Sequence, residues 1–238
     1  DNYGIPILFI RHGESENNVI EDFLVKQEKK NKITKKKKLD IMRKNYKEDP
    51  NLTKKGIKQS KKLGIYLRKK IKKNQIIQIY SSPFKRALDT TNNMLKSLQK
   101  NVYNVTVHPK IFENGGVYTI NKRNKNIGSK KCFSSSEIKK IYNYNIDLLP
   151  KKGCWYKDNW EDYKKSEKRA ENIIKWIKSN KFKMENKGNI VIFIMHGDFI
   201  NILQKKLLNI FNKKLEFNID NTSISYFTLY DKKIKINY

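Results

Sequence analysis

Four short stretches of this chain end in residues that can do chemistry on an anion. Ile7-Leu8-Phe9-Ile10 runs into Arg11-His12-Gly13-Glu14, and Ile76–Tyr80 runs into Ser81-Ser82-Pro83 with Arg86 one turn further on. Val102–Val107 leads past His108-Pro109 to Glu113, and Ile190–Met195 stops at His196-Gly197-Asp198. A histidine set between an arginine and a glycine at such an exit can attack a phosphoryl group. Two arginines and two histidines brought together make a cationic pocket, and the guanidinium fork matches phosphate oxygens two at a time. Taken alone, the first stretch also reads as a basic surface turn. What favours the pocket is that all four stretches end alike.

The elements around these residues supply the means of bringing them together. Residues 5–10 and 76–80 read as buried strands, and the nearly continuous apolar run 190–195 as a central strand covered on both faces. Helices are expected after Thr53, a plausible N-cap, to about Lys72 or Lys73; after Pro83; over Tyr163–Lys178; and after Gly197. Ser134–Glu137 before Ile138 and Ile141 suggests a short capped helix. Ser223–Tyr230 alternates like a late strand, and Lys232–Tyr238 adds an edge or frays. Strands alternating with helices predict an α/β fold, a three-layer sandwich with a mainly parallel central sheet. In such sheets ligands bind beyond the carboxyl ends of the strands. The organisation expected is a single domain over residues 1–238. It carries a basic excursion at about 20–48 and an irregular wall or lid at about 117–160.

Composition bounds the function. The 238 residues hold 53 Lys and Arg against 23 Asp and Glu, a formal net charge of +30. Such a charge attracts polyanions and phosphorylated substrates without showing where they bind. The run Lys35–Lys38 is read first as a solvated face. Nucleic acid is a weak expectation, because aromatic residues do not interleave with the basic run as stacking sites require. Cys132 and Cys154 read as two free thiols in a reducing compartment rather than a disulfide. No apolar run reaches membrane-spanning length. The opening Asp1-Asn2-Tyr3 shows no signal-peptide pattern and leads straight into the first strand, as after loss of an N-terminal extension. A cytoplasmic protein is expected, and a homo-oligomer is compatible with the sequence. The aromatics Trp155, Tyr156 and Trp160 read as packing that holds the wall down.

The motifs resemble those of the histidine phosphatase superfamily, the phosphoglycerate-mutase-like family. The resemblance rests on Arg11-His12-Gly13-Glu14-Ser15 with Asn18, on Leu52-Thr53-x-x-Gly56-x-x-Gln59, and on Ser81-Ser82-Pro83 with Arg86, Ala87 and Thr90. Glu113 with Gly115-Gly116, His196-Gly197 and Asn221-Thr222-Ser223 extend it. It implies that His12 is the nucleophile that becomes a phosphohistidine, with its other nitrogen bonded to a backbone carbonyl. It implies that Arg11 and Arg86 hold the phosphate oxygens, that His196 completes the pocket, and that Glu113 is the proton donor. Ser15 and Asn18 fall where further phosphate or substrate contacts are expected. No cofactor or metal is expected, since the arginines do the neutralising. Glu14 is expected to orient a group behind the pocket, and His108 to be structural or exposed. Asp198 faces the substrate or caps its helix.

Within the resemblance, the expected activity is hydrolysis of a small phosphorylated metabolite. Mutases of this pattern carry Trp where Asn17 stands and Asn-Ser where this chain has Asp198-Phe199. Both departures count against the alternative, a bisphosphoglycerate-dependent phosphoglycerate mutase. A non-catalytic module that binds polyanions or phosphoproteins is the third reading.

Overall fold

Ile190–Met195 is buried along its whole length, as its continuous apolar character requires. It is the strand β6 of a six-stranded sheet in the computed structural model, which describes residues 4–99, 103–212, 214–231 and 233–237. The sheet also holds β1 (Ile5–Arg11), β2 (Ile77–Ser81), β3 (Tyr103–Val107), β7 (Ile224–Leu229) and β8 (Ile234–Asn237). Two short strands, β4 (Tyr118–Ile120) and β5 (Asn126–Gly128), pair separately as a hairpin. The sheet order is β3-β2-β6-β1-β7-β8. The four strands β3, β2, β6 and β1 are parallel, and β7 and β8 add antiparallel on one side. Registers of Arg11 with Met195 and Ser81 with Ile194 bring three strand exits to one edge.

The helices follow as α1 (Glu16–Lys29), α2 (Lys35–Asn45), α3 (Lys54–Lys70), α4 (Lys85–Leu98), α5 (Ser135–Tyr142), α6 (Tyr163–Ile177), α7 (Asn180–Glu185) and α8 (Gly197–Leu207). Alternation along the strands splits the core in two. Ile10, Ile79, Ile192 and Ile194 face α3 and α4 through Leu63, Leu67, Leu88 and Met94. Phe9, Tyr80, Phe193 and Met195 face α6 and α8 through Ile173, Ile177, Phe199 and Leu203. The three layers expected from the sequence are those observed. Among the described residues no helix is long and apolar enough to cross a membrane.

The lysine-rich stretch is ordered as two helices rather than an undefined excursion. Ser15 and Asn18 form a reciprocal capping box at the start of α1, and the Thr34 side chain caps α2. No residue of α2 is fully buried, so its lysines are a solvated face, as expected. The helix after Thr53 ends at Lys70, where Ile71 turns into the core. Asp1–Tyr3, Val102, Lys232 and Tyr238, which the sequence reading includes, lie outside the described residues.

The wall over residues 117–160 is the hairpin, α5 and irregular chain, with Trp155 and Tyr156 buried and Trp160 partly exposed. Here the free-thiol expectation is corrected: Cys132 and Cys154 are joined in a disulfide, their Cα atoms 5.3 Å apart. The antiparallel bridge between Ser134 and Cys154 brings the two segments together. Spacing along the chain says nothing of that bridge, and the thiol argument for a reducing compartment falls with it. The bond closes a loop of sequence separation 22. Loop-closure entropy gives such a cross-link about 3 kcal/mol. Urea unfolding with and without reductant should show the reduced protein less stable by up to that amount; coincident midpoints would mean that the bond constrains nothing.

Candidate active site

β1 delivers Arg11 and His12 to the sheet edge, and backbone bonds hold them there. The His12 N–H donates to the Met195 carbonyl on β6 at 2.9 Å, and Asn221 Nδ2 donates to the His12 carbonyl at 3.1 Å. The loop beyond rests on the start of α3. Gly13 N donates to Thr90 Oγ1 at 3.0 Å, Glu14 N to Gln59 Oε1 at 2.9 Å, and Thr53 N to the Glu14 carbonyl at 2.9 Å. The approach leaves no room at Gly56, where a Cβ would lie 2.1 Å from the Glu14 carbonyl oxygen. Gly56→Ala should therefore destabilise the fold by about 1–3 kcal/mol through overpacking. Denaturant unfolding measures this; an unchanged midpoint would mean that the loop yields freely.

His12 is 2% exposed. Its Nδ1 lies 2.7 Å from the Gly13 carbonyl, which only accepts, so this nitrogen carries the proton. Arg86 Nε donates to His12 Nε2 at 3.1 Å, so Nε2 presents a lone pair. Burial, then Arg86 and Arg11, pushes the imidazole well below the usual histidine range and keeps it neutral. The carbonyl bond expected of His12 is thus in place.

Arg86 sits in the first turn of α4, its guanidinium carbon 4.1 Å from the centre of the Phe84 ring. Arg11 Nη1 donates to the Ile219 carbonyl at 2.7 Å. Its Nε is buried without a partner among the described residues. His196 is fully buried, its ring centre 5.1 Å from that of His12. Ser82 Oγ lies 2.7 Å from His196 Nε2, while His196 Nδ1 has no partner among the described residues. Burial and then Arg86 hold this imidazole neutral too.

Glu113 reaches the same place from the chain after β3. Its Oε1 accepts from Asn114 N at 2.8 Å and from Phe199 N, in the first turn of α8, at 3.0 Å. Loss of solvent, then the Asp198 charge, raises its carboxyl to about 7, against the pull of Arg86 and Arg11. Ser15 and Asn18 line the cavity, but their polar atoms are largely used within the chain. Asn18 Oδ1 accepts from Ser15 N, Ser15 Oγ and Asn221 Nδ2 at 3.1–3.2 Å. Glu14 lies outside the cavity lining, bonded to Thr53 Oγ1 at 2.7 Å and Lys55 Nζ at 2.6 Å. His108 is buried against Trp176, away from the cavity. Asp198 opens into the cavity at the head of α8.

The cavity measures about 470 Å³. Arg11, His12, Arg86 and Glu113 line it, and so do Glu21, Tyr46, Tyr118 and Glu216, which the sequence reading missed. The available signal was the spacing of Asn18, Glu21 and Val25, which share one face of a helix once α1 is known to be one. Nothing in the sequence marks Tyr46, which Asn17 helps to place through bonds to the Lys47 backbone at 2.8 and 3.1 Å.

A parallel sheet whose exits deliver a neutral imidazole, two guanidinium groups and a carboxyl to one cavity defines an α/β protein with a cavity of the chemistry that suits an anion. The sequence profile of the histidine phosphatase superfamily (branch 1) matches residues 7–238, and the chain belongs to that family. No curated protein matches it by sequence. Its fold is similar to that of a phosphoglycerate mutase from Bacillus anthracis, at 16% identity and TM-score 0.58, over 100% of this chain and 93% of that one. It is also similar to an ecdysone phosphate phosphatase from Bombyx mori in complex with tungstate, at 16% identity and TM-score 0.57, over 98% and 92% of the two chains. A phosphoserine phosphatase variant from Entamoeba histolytica in complex with phosphoserine matches at 18% identity and TM-score 0.51, over 98% and 95%.

Proposed function

We propose that this chain hydrolyses phosphomonoesters of small metabolites through a phosphohistidine on His12 Nε2. The observation that carries the reading is the fixed tautomer of His12, with the Nδ1 proton on the Gly13 carbonyl and the Nε2 lone pair beside Arg86. In the first step Nε2 attacks phosphorus and the bond to the leaving oxygen breaks. The protonated carboxyl of Glu113 gives its proton to that oxygen. Arg11 and Arg86 hold the phosphoryl oxygens, and His196 Nδ1 completes their surroundings. In the second step water attacks phosphorus, Glu113 takes its proton, and the P–N electron pair returns to Nε2. Ser15 and Asn18 set the start of α1, which forms one side of the cavity.

Solved structures of the same fold are named as phosphatases of ecdysone phosphate and of phosphoserine, which supports a small phosphorylated substrate. The mutase alternative is less well supported, because Asn17 is committed to the Lys47 backbone and Asp198-Phe199 replaces the mutase pair. The test is a panel of phosphomonoesters run beside 3-phosphoglycerate isomerisation with and without bisphosphoglycerate. Phosphate release exceeding isomerisation is expected. Primer-dependent isomerisation exceeding hydrolysis would replace this reading with the mutase, and silence of the folded protein in both assays would leave a binding role.

A further inference from the structure

Cations outnumber acids 53 to 23 in this chain, yet the acids lining the cavity, Glu21, Glu48, Glu113, Asp198 and Glu216, outnumber its cations, Arg11, Lys47 and Arg86. Glu21, Asp198 and Glu216 all line it, and among the described residues none of them forms an ion pair with Lys or Arg. Glu21 is the best anchored. It accepts from Asn18 Nδ2 at 3.1 Å and from the Tyr46 hydroxyl. Asn18 in turn meets Asn221, which bonds the His12 carbonyl, so a chain of hydrogen bonds fixes the carboxylate relative to the nucleophile. Beside it the rings of Tyr46 and Tyr118 stand 6.3 Å apart, centre to centre, and both line the cavity.

The inner end of the same cavity calls for the opposite charge. Arg11 lines it there with its Nε buried and without a partner among the described residues, and that N–H suits an anion. The cavity is therefore bipolar, cationic around His12 and anionic along Glu21, Asp198 and Glu216. A metal ion does not fit the acidic side: among the described residues no three His, Cys, Asp or Glu side chains converge as a metal cluster. Spread carboxylates beside aromatic faces suit a larger, diffuse organic cation, which ring faces attract as well.

We infer that the substrate is a zwitterionic phosphomonoester, with its phosphate at Arg11, Arg86 and His12 and an ammonium or quaternary ammonium group against Glu21, Asp198 and Glu216. This rests on the hydrolytic reading of the same site. Mutual repulsion among the acids agrees with it. The Asp198 carboxyl is raised by enclosure first and then by Glu21 and Glu216, with Arg11 opposing, and a bound cation relieves that repulsion.

The test compares phosphocholine with 3,3-dimethylbutyl phosphate, the same shape with carbon in place of the charged nitrogen. Calorimetry on His12→Ala, which cannot turn either ester over, should give at least tenfold tighter binding of phosphocholine. Competitive inhibition of p-nitrophenyl phosphate hydrolysis by wild type gives the same ratio should that variant misfold. Glu21→Gln should reduce the ratio to about threefold or less, and Glu216→Gln, at the exposed rim, should reduce it partially. Equal binding of the two esters, or no binding of either, overturns the inference. So does a preference unchanged in both glutamine variants. Loss of p-nitrophenyl phosphate turnover in wild type would overturn the hydrolytic reading instead, and calorimetry would still report the charge preference.

Discussion

His12→Ala is expected to lower kcat/KM for phosphate release by at least about 10⁴-fold, the scale on which removal of a covalent nucleophile is felt. The substrate to use is p-nitrophenyl phosphate, whose leaving group needs no proton, so that the assay reads the nucleophile and not the acid. The fold should survive. The bonds that shape the loop run through the backbones of His12, Gly13 and Glu14. Circular dichroism and the urea midpoint would confirm that the variant is folded.

The loss alone does not distinguish a nucleophile from a positioning group, and two further readouts do. Free imidazole added to the variant should restore part of the rate, because the ring then re-enters the space that the side chain left. An acid-labile, base-stable phosphoryl group should be trapped on wild type and be absent from His12→Ala. Full hydrolysis by the variant would sink the covalent mechanism, since no other histidine lines the cavity among the described residues.

What could be read from the sequence follows how local each cause is. Ile190–Met195 is legible as a central strand because both its faces are apolar, and Arg11, His12, Arg86 and His196 are legible because each follows a strand exit. Gly56, Gln59 and Thr90 could be singled out as motif residues, but their task of seating the 13–14 loop emerges only when α3 and α4 pack beneath it. Tyr46 left no mark, and Glu21 left only its helical spacing with Asn18 and Val25. They come from a segment whose lysines obscure apolar periodicity, and they meet only through a bond across 25 positions. The Cys132–Cys154 pairing was missed for the same reason, since it depends on how the wall, through Trp155, folds over Phe84 rather than on spacing. The anchoring of Glu113 by the Phe199 N–H spans 86 positions and belongs to the tertiary fold alone.

That anchor leads to the second large effect, in which activity and stability should move in opposite directions. Glu113→Gln is expected to lower kcat/KM for an alkyl phosphomonoester by about 10²–10⁴-fold, the usual contribution of a general acid. It should change the first step with p-nitrophenyl phosphate far less. The productive state has His12 neutral and Glu113 protonated. His12 lies well below its usual range and Glu113 near 7, so the alkyl-ester rate of wild type should fall as pH rises through about 7. In the glutamine variant that fall should vanish. The effect of the substitution on stability has the opposite sign. A carboxyl raised in the fold carries no penalty at pH values below the ordinary glutamate range, where both folded and unfolded states are protonated. It loses stability as pH climbs from there through about 7, and above that the cost is at most about 3 kcal/mol. Loss of solvent and the neighbouring Asp198 set that cost, and Arg86, Arg11 and the N–H of Asn114 limit it. An amide at this position bears no charge to desolvate. At pH 8, therefore, Glu113→Gln should unfold at higher urea than wild type while hydrolysing alkyl esters poorly, and at pH 5 most of the stability difference should close. A variant that is less stable at pH 8, or an alkyl-ester rate flat from pH 6 to 8 in wild type, would show that Glu113 is ionised in the folded protein and does not supply the proton.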